Sequence, residues 1–350
     1  MSTKVRLIDI AQAAGVSVSA VSKALGNSSE LPQATKDRIL DYANRLGYRP
    51  NFTARSLRLG RSNLLGVLIP DITNAYYASI LKGIEAKARS YGFTTIITIT
   101  NEDSEIEKNT LDAFLSVPVD GILSVPIDLN NYAPLEIPLV LLSRYPFFEG
   151  ISYPAHAIPN KEFNYVLSND FKGQYLATNH LLSCQLQEVY LILGEASNKV
   201  VAGMKSAIRL SAYKEALKEN QVPFDPSKVF YHGDVFSSVY DITDQICKTA
   251  RRPFGISLTN DSTAVSAYSA IFKNGLSIPK DVQIVGYDDI EISRHFFPEL
   301  TTIHSAKQSI GEQGVSLIAD FIGSDKPNRS KIRTIFDPYL IERQTTAFVE

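Results

Sequence analysis

IDIAQAAGVSVSAVSKAL, residues 8 to 25, contains two short apolar faces separated by a stop. Leu7, Ile10, Ala11 and Ala14 recur at the helical period and run into Gly15, a natural C-cap. Ser17 then offers an N-cap, and Val18, Val21, Ala24 and Leu25 give a second short helix one apolar face. Two short helices joined so abruptly form a helix-turn-helix candidate. A third helix is expected from about Gln33 to Leu46, with Ile39, Leu40, Ala43 and Leu46 turned inward and Gly47 closing it. Three such helices can bury one small core. Periodicity alone leaves a generic three-helix bundle as an equal alternative.

Working outward, the charge of this segment differs from that of the rest. Residues 1–61 hold ten Lys/Arg and four Asp/Glu, a balance of +6, so the remainder must carry −8 to reach the net −2 of the 350-residue chain. A basic head on an acidic body suits a head that meets phosphates while the body stays off them. The length suggests two or three domains. With 44% hydrophobic and 21% charged residues the composition is that of a soluble globular protein, and no stretch approaches the ~18 apolar residues of a membrane span. The opening MSTKVRLIDIAQAAGV lacks a signal-peptide core, so the expected location is the cytoplasm, by the nucleoid. Cys184 and Cys247 are the only cysteines; without metal-ligand spacing they read as buried packing thiols.

A second motif, LGYRPNFTARSLR at residues 46–58, follows the helices in register. Together the two segments resemble the LacI family of bacterial transcription regulators, both in the DNA-reading helices and in the hinge that follows. The resemblance implies that the second helix enters the major groove, with Val18, Ser19 and Lys23 reading bases; Val18 suits a thymine methyl and Lys23 guanine acceptors. The family usually has Arg at Lys23, so base discrimination here is softer, and Asn at Gly26, which leaves one backbone contact open. Arg6, Ser17, Ser22, Thr35, Lys36 and Asn51 are candidates for positioning on the duplex. The motif Ala54-Arg55-Ser56-Leu57 resembles the hinge segment that wedges a leucine, here Leu57, into a minor-groove step.

Beyond residue 62, apolar strand-like runs alternate with helical patterns. The runs are 64–69, 94–100, 121–125, 139–142, 165–167, 189–193, 255–258 and 282–286. Such alternation argues for parallel sheets covered by helices on both faces, and one sheet would be too long, so two similar subdomains facing a crevice are expected. LLGVLIPDITNAYYASILKGIEAKARSYGF (64–93), RLSAYKEAL (209–217), NDSTAVSAYSAIFKNGLSIPKDVQIVGYDD (260–289), PELTTI (298–303) and LIERQTT (340–346) resemble successive elements of the same family. The implied fold is α/β: a three-helix helix-turn-helix head plus a periplasmic-binding-protein-like body of two doubly wound parallel-sheet subdomains. The expected domains are a DNA-binding head at 1–48, a hinge and linker at 49–62, and an effector-binding, dimerising body at 63–350. The body divides into about 63–166 with 305–328 and about 167–304 with 329–350.

Open sheets bind ligands beyond the carboxyl ends of their strands. Carried over residue by residue, the resemblance places Tyr76 and Tyr77 at the wall of an effector pocket, Arg209 forking onto hydroxyls or a carboxylate, and Asn260 and Asp288 at strand ends. Phe236, Ser143, Ser168 and Ser305 are further wall candidates. Core packing competes for the tyrosines, a surface ion pair for Arg209, and helix capping for Asn260 and Asp261. The family often has Asp at Ser143, Gly at Ala212 and an aromatic at Val235, and the chain lacks Trp. The expected effector is a sugar or sugar derivative, the commonest class for the family.

An enzyme is not indicated: His156, His180, His232, His295 and His304 are scattered, and there is no nucleophile elbow, P-loop or GxGxxG. Neither a cofactor nor a metal is called for. The expected function is a repressor whose grip on double-stranded operator DNA responds to a small molecule. A palindromic operator implies a homodimer, and no heptad run follows LIERQTT to suggest a tetramer. A periplasmic-type solute-binding protein without a regulatory role is the alternative; the head and the lack of a signal sequence weigh against it.

Overall fold

The computed structural model describes residues 5–26, 30–48, 60–132, 135–144, 163–194, 200–233, 237–323 and 332–347. The chain divides into two compact units, Met1–Ser62 and Asn63–Glu350.

The first unit holds helices α1 (Leu7–Ala14), α2 (Val18–Leu25) and α3 (Gln33–Arg45). Gly15 adopts a left-handed conformation (φ 62°, ψ 40°), and the following Val16 N–H returns 3.0 Å to the Ala11 carbonyl, closing the helix in a tight turn. Ser17 then starts α2 by accepting the Ala20 N–H at 3.1 Å. Ile10, Ala11, Ala14, Val21, Ala24, Ile39 and Ala43 make the core. Leu40 and Leu46 were expected inside but are each 39% exposed. The inward row of α3 is Lys36, Ile39 and Ala43, and Leu40 lies about 100° round from Ile39. Tyr42 and Tyr48 cover the core's flank instead.

In the second unit two six-stranded sheets form. The first runs β11-β5-β4-β3-β1-β2, all parallel, from β1 (Leu64–Ile69), β2 (Thr94–Ile99), β3 (Gly121–Ser124), β4 (Leu139–Leu142), β5 (Asn164–Ser168) and β11 (Arg333–Phe336). The second runs β12-β10-β9-β8-β6-β7, from β6 (Glu188–Gly194), β7 (Val229–His232), β8 (Phe254–Ser257), β9 (Val282–Asp288), β10 (Thr301–His304) and β12 (Tyr339–Ile341); only β12 is antiparallel. Successive side chains serve opposite faces: Leu65, Val67 and Ile69 pack under α4 (Ala75–Ser90) and α10 (Lys307–Gly323), while Leu68 joins Leu111 and Phe114 of α5 (Ser104–Ser116). Helices α6 (Asp170–Ser183), α7 (Val200–Glu219), α8 (Ser237–Thr249) and α9 (Ala264–Lys273) cover the second sheet in the same way. No helix among the described residues is long and apolar enough to cross a membrane. Cys184 and Cys247 are buried and unbonded to each other.

Four strands, β7, β10, β11 and β12, lie outside the apolar runs of the sequence analysis. They are three or four residues long, and β7, β11 and β12 lie at sheet edges where a mixed sequence such as RTIF suffices. β10 is interior, yet its buried threonines are satisfied by hydrogen bonds: Thr302 Oγ1 donates to Asp261 at 2.6 Å, and the Thr301 N–H reaches Thr345 Oγ1 at 2.8 Å.

The chain passes between the sheets three times, always from the carboxyl end of a strand: after β5, after β10 and after β11. The last passage corrects the expected division at residue 329. Arg333–Phe336 pairs with Tyr165–Ser168 in the first sheet, so the switch falls after Phe336, and Leu167 and Ser168 likewise remain with the first sheet. After the second passage α10 returns onto α4 so closely that a methyl on Gly83 or Gly311 would strike the opposing backbone.

Candidate functional site

In the head, the residues assigned to DNA occupy distinct places. Ser17, Val18 and Ser19 are exposed at the start of α2, Lys23 is exposed in its last turn, and Arg6 is exposed at the start of α1; Ser22 and Thr35 are half-buried. Lys23 forms an ion pair with Glu30, which holds that exposed carboxyl below its usual range. Lys36 is only 8% exposed and belongs to the inward row of α3. A phosphate contact would require its flexible stem to swing its ammonium outward. Asn51, Ala54, Arg55 and Leu57 lie outside the described residues, as does Phe236.

In the body, the assigned residues gather at the carboxyl ends of both sheets. Asn74 starts α4 by accepting the Tyr76 N–H at 3.0 Å, which sets Tyr76 and Tyr77 in the first turn. Their rings meet edge to face at 5.3 Å. The Tyr76 hydroxyl is 2.8 Å from Ser143 Oγ, just beyond β4. Burial raises both tyrosine pKa values, so both stay neutral. The Tyr77 hydroxyl accepts Arg144 Nε and Nη2 at 2.9 and 2.6 Å, and Arg144 also pairs with Glu102.

On the facing sheet, Asn169 caps α6 and sets Asp170 in its first turn. The Asp170 carboxylate accepts Arg209 Nε and Nη2 at 3.1 and 2.8 Å, while Arg209 Nη1 donates to the Thr259 carbonyl at 2.6 Å. The guanidinium lies 3.6 Å above the Tyr287 ring. Gly173 makes room for that ring, since a methyl there would collide with the tyrosine hydroxyl. Arg209 is thus a buried cation with three of its five N–H groups engaged by protein, not a surface pair. Lys205, one turn earlier on α7, lies 3.6 Å from Asp170 and 5.2 Å from the centre of the Tyr76 ring, so it links the two sheets' mouths.

Asp288 closes β9 with φ 100°, followed by Asp289 at φ 51°. Two successive residues so placed turn the chain sharply, which aims the carboxylates apart. Asp288 is buried and contacts Ser305 Oγ at 3.4 Å; burial raises its pKa, opposed by Lys205, Arg209 and Lys307. Lys307 donates to the carbonyls of Asp288, Asp289 and Ser305, pinning the turn to the second passage. Burial would raise the Asp289 pKa as well, but hydrogen bonds from His304 at 2.8 Å and Arg343 at 2.6 Å hold it low. Ser168 is buried, and its hydroxyl has no hydrogen-bond partner among the described residues.

Asn260 takes the competing role: its Oδ1 accepts the Thr263 N–H at 3.1 Å and starts a helical turn. Asp261 is not a cap but a buried brace, accepting Ile290 N–H at 2.9 Å and Thr302 Oγ1; burial pushes its pKa up to about 8. The sequence reading missed Asp170, Lys205, Thr259, Tyr287, Arg144 and Lys307. Lys205 had a signal in its four-residue spacing from Arg209, and Tyr287 stands inside GYDD; Asp170 is indistinguishable in sequence from a helix-start acid.

Residues 6–51 match the model of bacterial regulatory proteins of the lacI family, and residues 178–346 match a periplasmic binding protein-like domain. The HTH-type transcriptional repressor PurR of Haemophilus influenzae (strain PittEE) is 29% identical over 338 residues, covering 96% of this chain and 97% of that protein. PurR of Vibrio atlanticus (strain LGP32) is 26% identical over 343 residues, with 96% and 97% covered. Among solved structures, the lac repressor dimer bound to operator and the anti-inducer ONPF aligns with a TM-score of 0.83 at 25% identity, covering 98% of this chain and 99% of that one. A LacI family transcriptional regulator from Enterococcus faecium with bound ribose gives a TM-score of 0.67 at 28% identity, covering 82% and 100%. The chain thus joins a helix-turn-helix domain that matches bacterial regulatory proteins of the lacI family to a periplasmic binding protein-like domain, and it is similar over nearly its whole length to HTH-type transcriptional repressors.

Proposed function

We propose that this protein is a transcriptional repressor that binds a palindromic operator as a homodimer and responds to a small molecule held between the two sheets of its body. The observation that carries the reading is the joining, in one chain, of an exposed helix-turn-helix face to a crevice where buried polar groups of both sheets converge. Residues 1–48 would read DNA, 49–62 would link, and 63–350 would sense and dimerise. Val18, Ser19 and Lys23 would meet base edges, and Arg6, Ser22 and Thr35 the phosphates. Tyr76, Tyr77, Ser143, Ser168, Arg209, Asp288 and Ser305 would enclose the effector, a sugar or sugar derivative. The protein would act in the cytoplasm and catalyse no reaction, as its repressor relatives suggest.

Closing the crevice on a ligand changes the angle at the three passages, and a coupling of ~1–3 kcal/mol between ligand and operator is the usual scale. In vitro selection of random duplexes with the full-length protein tests the reading. Enrichment of a palindrome is expected, with affinity falling steeply as salt rises. A failure to enrich any sequence would overturn it.

A further inference from the structure

The crevice wall contains more cations than hydroxyl recognition needs. Arg144, Lys205, Arg209, Lys307 and Arg343 lie around it, against the carboxylates of Glu102, Asp170, Asp288 and Asp289. The fifth carboxyl nearby, Asp261, is held neutral by burial up to about pH 8. Most of the cations are committed. Arg144 is spent on Tyr77 and Glu102, Arg343 on Asp289, Ser293 and the Leu300 carbonyl, and Lys307 on three carbonyls.

Lys205 differs. Among the described residues its ammonium makes no hydrogen bond; Asp170 stands 3.6 Å away and is already taken by Arg209, the face of Tyr76 is beside it, and the Asp288 carboxylate acts on it only through space. Its side chain is 28% exposed, on the path into the crevice. Asp288 is a buried carboxylate that, among the described residues, accepts only a long hydrogen bond from Ser305, with the charges of Lys205, Arg209 and Lys307 near it, and it is ready to accept hydroxyl protons. A neutral ligand covering Lys205 would leave an ammonium with no hydrogen bond of its own, sharing Asp170 with Arg209 and Asp288 with Arg209 and Lys307, which is costly.

Resting on the reading of the crevice as the effector site, we infer that the effector of this protein is an acidic sugar derivative whose carboxylate or phosphate is received by Lys205 while its hydroxyls are held by Asp288. The ligand's charge offsets the excess cation, and the anionic group bridges the two sheets by meeting Lys205 above the Tyr76 ring.

Calorimetric titration of the full-length protein with matched pairs tests this: ribose against ribose 5-phosphate, glucose against glucose 6-phosphate, and glucose against glucuronate. The phosphate and carboxylate arms distinguish the source of the charge. In at least one pair the acidic member should bind about tenfold tighter or more, corresponding to ~1.4 kcal/mol. Lys205→Met should cut that ratio to about threefold or less, and Lys205→Arg should preserve most of it. Asp170 keeps Arg209 in either variant, so the fold should stand, as unchanged melting would verify. Equal or tighter binding of the neutral member in every pair, or an acidic preference surviving Lys205→Met, overturns the inference while leaving a sugar sensor in place. Binding of none of the probes overturns the inference and the sugar-sensor reading together.

Discussion

The head and the body place their working residues in opposite environments. In the head, α2 keeps Val21 and Ala24 for the core and leaves Val18, Ser19 and Lys23 to solvent. In the body, Arg209, Asp170, Asp288 and Ser305 are each less than 10% exposed, and every one is positioned by a partner from another strand or helix. The contrast follows from the ligands. A duplex is too large to enter a pocket and must be met by an exposed face, whereas a small molecule is gripped best where water is excluded. Substitutions in the head should therefore act one at a time, and those in the body through their partners.

The largest expected effect is at the buried pair. Arg209→Leu or Asp170→Leu alone should cost about 3–5 kcal/mol in urea unfolding, because each strands a buried charge, and the double variant should cost clearly less than the sum. Single costs below about 1 kcal/mol would make this an ordinary surface pair and erase the contrast.

Next comes Asp261, whose carboxyl is raised from the usual carboxylate range to about 8 by burial. The folded state then holds a proton that the unfolded state has lost above about pH 4, so stability should be full below that pH and decline by a few kcal/mol as pH rises to about 8. Asp261→Asn should flatten that decline in melting curves recorded from pH 5 to pH 8. An unchanged slope would assign the dependence to another group.

Two head variants should be smaller and more local. Lys23→Ala should lower affinity for the selected operator by roughly 1–3 kcal/mol while leaving random duplexes nearly unaffected, if Lys23 reads a base. A uniform loss across sequences would make it a phosphate contact. Ser17→Ala removes the bond to the Ala20 N–H and should destabilise the head by about 1 kcal/mol, seen as earlier loss of its amide protection in hydrogen exchange, with the body's protection unaltered.

Much of this was legible in the sequence because it is written locally. Gly15 followed by Ser17 specifies a stop and a start, and the period of Ile10, Ala11, Ala14, Val21 and Ala24 specifies which faces meet, so the helix-turn-helix follows from neighbours a few residues apart. The long apolar strands and the two-sheet plan were equally readable, since β1 and β9 are continuous buried runs. Tertiary structure alone decided the rest. That Arg333–Phe336 belongs to the first sheet depends on pairing with a strand some 170 positions earlier, and its own mixed composition carries no trace of the choice. The inward turn of Lys36, and with it the exposure of Leu40, depended on how α3 rolls against two other helices. Arg209 was visible as a candidate, but the carboxylate that fixes it, the ring beneath it and the uncommitted ammonium one turn away come from separate segments. Backbone preference acts between adjacent residues and leaves its mark in the string of letters, whereas the partners of a buried charge are set by how distant segments pack.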